Sequence, residues 1–178
     1  FQYSLEDRIL TFCEDGMKNK QSLYKWLYET YENDLFSYGI AFGISKELLE
    51  DAIQDVFLYL YEREHKLLES QNMKFYLLNC LKNRIRTIKK KEMNTEFLEE
   101  GSDNYSFLIE VNGFELINEE KERAAMQKQL KKMLDSLTDR QREAVYLRYT
   151  QGLSYEEIGK LMGIQPKAAQ KLVYRAIE

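Results

Sequence analysis

Apolar residues recur at spacings of three and four along most of the chain, and the runs are punctuated by residues that start or stop helices. The pattern predicts helices at about 5–15, 21–42, 46–63 and 73–91. A charged helix at about 116–135 follows, then three shorter ones near 139–149, 155–162 and 166–177. Ser4 with Asp7 resembles a capping box, Ser45 can accept from the free amides of the helix it precedes, and Gly43 helps to end the helix before it. Thr138 with Gln141 and Ser154 with Glu157 are two further capping boxes. Pro166, the only proline, fits a first-turn position where its missing N–H costs nothing. No strand pattern competes, so the fold class is all-α.

Between Met93 and Gly113 the periodicity fades and Asn94, Gly101, Ser102, Asp103, Asn104 and Asn112 accumulate. Connections longer than ~12–15 residues are commonly linkers or functional loops. The expected organisation is therefore two small helical domains, 1–92 and 116–178, joined by a linker over 93–115. Charge follows the same division. A net charge of −4 looks wrong for a nucleic-acid binder, yet Lys82 to Lys91 carries six cations and no acid, whereas Glu92 to Glu120 carries nine acids and no cation. A basic patch thus lies beside an acidic tether, and only the patch would attract phosphates.

With 44% apolar and 31% charged residues, the composition fits a folded, helix-rich protein. No apolar run approaches the ~20 residues of a bilayer span, and the N-terminus lacks the order of a signal peptide, so a cytosolic location is expected. Cys13 and Cys80 are far apart, form no CxxC pair and sit in apolar-periodic stretches, which predicts burial. A lone His65 without a His/Cys cluster argues against zinc, and no metal or cofactor is expected.

Near the C-terminus, Leu153, Ile158, Leu161, Ile164, Leu172, Val173 and Ile177 place one face of each of two short helices toward a shared core. Gly163 between them supplies a left-handed residue that lets the second helix cross the first steeply, with Gly159 and Ala169 at the closest approach. Lys167, Ala168, Gln170, Lys171, Tyr174 and Arg175 stay outside the apolar stripe, a mixture able to reach phosphates and base edges in a major groove. An ordinary helical hairpin with a solvated basic face fits the same pattern.

In the first half, the helix at 46–63 sets Leu49, Ile53, Val56, Phe57 and Leu60 against Glu47, Asp51, Gln54, Asp55 and Glu62. Asp51, Gln54 and Asp55 meet at i, i+3 and i+4, a patch suited to basic groups of a partner or simply to water. No nucleophile or metal ligand accompanies these carboxylates, so no catalytic residue is assigned. The helix at 73–91 has an apolar stripe of Phe75, Leu78, Leu81, Ile85 and Ile88. Beside it run Tyr76, Asn79, Asn83, Arg86 and Lys90, which combine stacking, hydrogen bonding and phosphate attraction suited to single-stranded or distorted DNA. A basic helix end complementing its own dipole is the alternative.

Leu48-Leu49-Glu50-Asp51-Ala52-Ile53-Gln54-Asp55-Val56-Phe57 resembles the region-two signature of RNA polymerase sigma factors. Leu137-Thr138-Asp139-Arg140-Gln141-Arg142-Glu143-Ala144-Val145 and Gly152-Leu153-Ser154-Tyr155-Glu156-Glu157-Ile158-Gly159 resemble region four of the extracytoplasmic-function group. The motifs stand in the family's order, and the two modules cover about two-thirds of the chain. The resemblance implies a region-two domain over 1–92, an acidic linker over 93–115 and a region-four helix-turn-helix domain over 116–178. It implies that Asp51, Gln54, Asp55 and Phe57 grip the polymerase clamp. It further implies that Tyr76, Asn79, Asn83, Arg86 and Lys90, with the loop at about 63–72, melt the minus-10 element and hold a flipped base. Lys167, Ala168, Gln170, Lys171 and Arg175 would read the minus-35 duplex, and the acidic connector would run through the polymerase channels.

Core RNA polymerase, promoter DNA and an anti-sigma factor are the partners so implied, without membrane insertion. Departures from the family pattern are Thr87 where an aspartate is common, Tyr76 near a common tryptophan, and Gln165-Pro166 where serine or threonine opens the recognition helix. These leave the promoter sequence unread. The sequence stops at Glu178, inside the last helix, where relatives usually continue with basic residues, so some phosphate contacts are expected to be missing. A stand-alone helix-turn-helix regulator would need a dimerisation helix that the sequence does not display. A helical interaction module that never touches DNA would show none of the salt dependence of phosphate binding.

Overall fold

The structure, a computed structural model, describes residues 20–63, 72–92, 105–110 and 120–178. The expected helix at 5–15, with Ser4, Asp7 and Cys13, lies outside them, as do His65 and most of the loop before the basic helix. The chain divides into two compact units, Phe1–Ile40 with Ile44–Asn94, and Ala41–Gly43 with Thr95–Glu178. The described residues are helical apart from turns and one irregular segment, and contain no strand.

The first unit contains α1 (Lys20–Ile40), α2 (Lys46–Glu62) and α3 (Met73–Glu92), each packed on the other two. Leu23, Leu27, Tyr31, Leu35 and Tyr38 line the inner face of α1, and α2 contributes Leu49, Ala52, Ile53, Val56, Phe57 and Leu60. Burying a large apolar side chain contributes about 1.5–3 kcal/mol, far more than helix propensity does. Gly39 lets α1 approach α2: a Cβ there would run into the Cδ1 of Leu49, which is itself fully buried. The Tyr24 hydroxyl donates to the Leu60 carbonyl at 3.0 Å, joining α1 to the end of α2. Ser45 caps α2 by accepting from the Leu48 N–H at 3.3 Å, and Asn72 caps α3 by accepting from the Phe75 N–H at 3.2 Å.

The buried stripe of α3 differs from expectation. Leu77 is fully enclosed together with Met73, Leu78, Leu81 and Ile85, while Phe75 and Ile88 are only half-buried. Because α3 packs on two helices at once, its inward arc is wider than a single apolar stripe and also takes in Lys82.

The second unit contains α4 (Glu120–Asp135), α5 (Asp139–Val145), α6 (Tyr155–Met162) and α7 (Pro166–Ile177). Both α5 and α6 pack on α7, whereas α4 has no fully buried residue. Both expected capping boxes form, Thr138 with Gln141 and Ser154 with Glu157. The helix expected over 139–149 is not uniform, because its last turn widens into a π-helical turn over Tyr146–Thr150. There the Gln151 N–H reaches the Tyr146 carbonyl at 3.2 Å, and the Gln151 side chain donates to the Tyr146 hydroxyl at 3.0 Å. Gly152 follows the widened turn at φ 69°, a left-handed conformation that favours glycine.

The middle of the connector is also not the free tether that its composition suggests. Residues 105–110 lie against α5, and Phe107 is fully buried, its ring 5.6 Å from that of Tyr146 and 5.1 Å from that of Phe42. The backbone of Phe107 is held at both ends: its N–H donates to Asp139 Oδ1 at 2.8 Å, and its carbonyl accepts from Arg142 Nε at 2.7 Å.

Candidate nucleic-acid and partner interfaces

The crossing of α6 and α7 follows from a three-residue break. Gly163 takes φ 68°, and the Ile164 N–H returns to the Gly159 carbonyl at 2.9 Å. Gly159 is needed without a side chain because a Cβ there would come within 2.7 Å of the Ile164 carbonyl oxygen. Gln165 is extended, and Pro166 begins α7 at its first turn. The inward residues Ile158, Leu161, Ala169 and Val173 are enclosed, as their spacing predicts. Ile164 and Leu172 of the expected set are only half-buried, and Ile177 is 59% exposed. Lys167, Lys171 and Arg175 are exposed on the outer side of α7, Tyr174 beside them is 56% exposed, and Ala168 and Gln170 are half-buried. Three cations therefore share one solvent-facing stretch, with the half-buried Gln170 beside them. Arg148 reinforces the turn that leads into α6, donating to the Leu153 carbonyl at 2.9 Å with its guanidinium over the Tyr155 ring.

In the first unit the candidate partner patch is split. Asp51 and Gln54 are exposed on α2, but Asp55 is partly covered and paired with Arg84 of α3 at 2.5 Å. Phe57 does not belong to the outer face: it is 8% exposed and packs edge-on against Tyr28, with ring centroids 5.2 Å apart. Its register in α2 places it with Ile53 and Leu60, so its contribution to any outer surface is indirect.

The second candidate stripe also divides. Arg86 and Lys90 are exposed on α3, Asn79 is half-buried, and Asn83 lines a cleft of about 490 Å³ between α2 and α3 with Asp55, Leu58, Tyr59 and Arg84. Tyr76 is half-buried and hydrogen-bonded to Cys80; burial first, and then the neighbouring Cys80, push its hydroxyl well above the usual tyrosine range. Cys80 is a free, half-buried thiol, which burial pushes up against the opposing effect of the Tyr76 hydroxyl. The loop residues 64–71 lie outside the described residues. Sequence reasoning missed the Arg84–Asp55 pair and the cleft, since nothing in either helix alone indicates which face of α3 meets α2. Among the described residues no group of His, Cys, Asp and Glu could hold a metal ion, and no helix is long and apolar enough to cross a membrane.

The fold and this geometry define an α-helical protein of two units, the second a helix-turn-helix module with a basic outer face. Residues 127–178 match the family described as Sigma-70, region 4. The chain is similar to the sigma factor RpoE from Bartonella quintana, solved in complex with the anti-sigma factor NepR, at 22% identity and a TM-score of 0.59 over 86% of this chain and 91% of that one. It is also similar to CnrH, solved in complex with the cytosolic domain of CnrY, at 18% identity and a TM-score of 0.51 over 88% of this chain and 84% of that one. The chain thus shares the fold of these two solved proteins, and its C-terminal module is similar to sigma region four. Among curated protein sequences, none matches it.

Proposed function

We propose that this chain is a sigma factor of the extracytoplasmic-function group, which binds core RNA polymerase and directs it to promoters. The observation that carries the reading is the α6–α7 helix-turn-helix, with Lys167, Lys171 and Arg175 exposed on its outer helix, inside the stretch that matches sigma region four. In this reading α7 enters the major groove of the minus-35 duplex, Gln170 and Ala168 face base edges, and the cations neutralise phosphates. The first unit is the region-two domain. Asp51 and Gln54, with Asp55 held by Arg84, face the polymerase, while Arg86, Lys90, Asn79 and Asn83 approach the melted minus-10 strand and Tyr76 supports that surface from within. The acidic connector follows the path of nucleic acid through the enzyme. Binding energy opens the promoter and the polymerase performs the chemistry, so no catalytic group is assigned to the chain. Both solved relatives are complexes, RpoE with an anti-sigma factor and CnrH with the cytosolic domain of CnrY. An anti-sigma partner that covers these surfaces is accordingly part of the proposal.

The test separates the two surfaces. Alanine at Arg86 and Lys90 should leave binding to core polymerase intact and impair open-complex formation, measured by permanganate reactivity of the minus-10 strand. Alanine at Asp51 and Gln54 should do the reverse. A chain that shifts promoter duplex equally well with and without core polymerase would instead be a stand-alone regulator.

A further inference from the structure

The segment Tyr105–Glu110 meets α5 as an extended peptide meets a receptor. Exposure alternates along it: Tyr105 and Phe107 turn inward while Ser106, Leu108 and Glu110 face solvent, the two-residue period of an extended chain. Recognition has a general and a specific part. Asp139 and Arg142 take the N–H and C=O of a single residue, which any peptide offers. The Phe107 ring, enclosed between Tyr146 and Phe42, and the Tyr105 hydroxyl, which donates to the carboxylate of the fully buried Glu143, demand two aromatic residues spaced by one, and the Leu108 N–H donates to the Ala41 carbonyl at 2.8 Å.

The receptor side does not depend on its occupant for its shape. Arg142 also donates to the Leu134 and Leu137 carbonyls at 2.9 and 2.7 Å and to Asp139 at 2.7 Å. Those three bonds fix the guanidinium independently of the segment, and Asp139 stands at the opening of α5. A site held ready in this way binds without first ordering itself.

We propose that α5, with Tyr146 and the Ala41–Phe42 turn, forms a preorganised docking site for an extended peptide of the pattern Tyr-X-Phe, and that Tyr105-Ser106-Phe107 is its exchangeable resident. The connector is then clasped to the second unit by a contact that opens locally, and a partner presenting the same pattern displaces it. This goes beyond the transcription reading and does not rest on it, because the tests involve neither polymerase nor DNA.

The probe is a fluorescein-labelled synthetic peptide with the sequence of residues 103–110. It should bind the full-length F107A chain at least about tenfold more tightly than the unaltered chain, whose own segment competes for the site. A control peptide with alanine in place of Phe107 should not bind F107A. Equal affinity for both chains, or none for F107A with α5 to α7 still folded, overturns the proposal. Should F107A not fold, site-resolved amide exchange on the unaltered chain decides. The Phe107 and Leu108 amides should exchange at least ~100-fold faster than the core amides of α7, as local opening requires. Exchange at the same rate as those core amides would make the segment a fixed part of the core and refute the clasp.

Discussion

Replacing Arg142 by alanine is the sharpest test of how the second unit is held together. The side chain is 8% exposed and donates four hydrogen bonds, to the carbonyls of Phe107, Leu134 and Leu137 and to the Asp139 carboxylate. Two of those carbonyls lie at and just beyond the end of α4, where the helix itself supplies no donors. Hydrogen bonds to a charged group contribute about 1.5–3 kcal/mol each, but those on one guanidinium are not additive, and water replaces some of them at the part-exposed carbonyls. Breaking a buried, paired charge by removing one partner costs about 3–5 kcal/mol, and that is the loss expected for R142A. Against a typical domain stability of about 5–15 kcal/mol, it should be visible in any denaturation curve. R142K should fall between, because an ammonium is a point donor that cannot span four acceptors in a plane. Urea denaturation followed by far-UV circular dichroism gives the measurement. Fluorescence alone would not, since the only tryptophan, Trp26, lies in the other unit. A loss below about 1 kcal/mol, the contribution of one ordinary hydrogen bond, would refute this account of Arg142 as the organising donor.

The other expectations concern pH, salt and the turn. Burial alone would raise the Asp139 carboxyl, but the Phe107 N–H and then Arg142 outweigh it and hold the group below the ordinary aspartate range. A depressed native value means stability that is complete above the unfolded-state value and lost as pH falls through the native one, so the D139N chain should show less acid destabilisation than the unaltered one in that range. An identical acid profile for the two would contradict the pairing. Replacing Lys167, Lys171 or Arg175 by alanine should lower the slope of log affinity against log salt by about 0.9 for each phosphate contact removed. That slope is measured on promoter duplex with the polymerase-bound chain, and an unchanged value would remove α7 from the backbone. G163A should cost about 1–2 kcal/mol in the same urea assay through backbone strain alone, since φ is 68° and no atom lies within 4 Å of the added methyl.

Much of the architecture is legible from neighbouring residues. A cap reaches from one residue to the third beyond it, and a helix face repeats within a turn, so Thr138 with Gln141, Ser154 with Glu157, Pro166 and Gly163 announce their roles without reference to the rest of the chain. The outer cations of α7 follow in the same way, because a residue that is off the apolar stripe of a short, well-marked helix has only solvent to face.

What the tertiary structure decided are the choices of partner across long sequence separations. Nothing within the connector reveals that Phe107 finds Asp139 and Arg142, some thirty residues on, and turns the centre of an acidic linker into a docked segment. Likewise the i, i+3 and i+4 patch on α2 gives no hint that Arg84 engages Asp55, and the apolar face that includes Phe57 does not name Tyr28 as its partner. The widening at Tyr146–Thr150 is hidden too, because a helical pattern reads the same whether one turn holds its usual number of residues or one more. Helix periodicity is a property of the chain next to itself, whereas the pairing of faces depends on where separate helices come to rest.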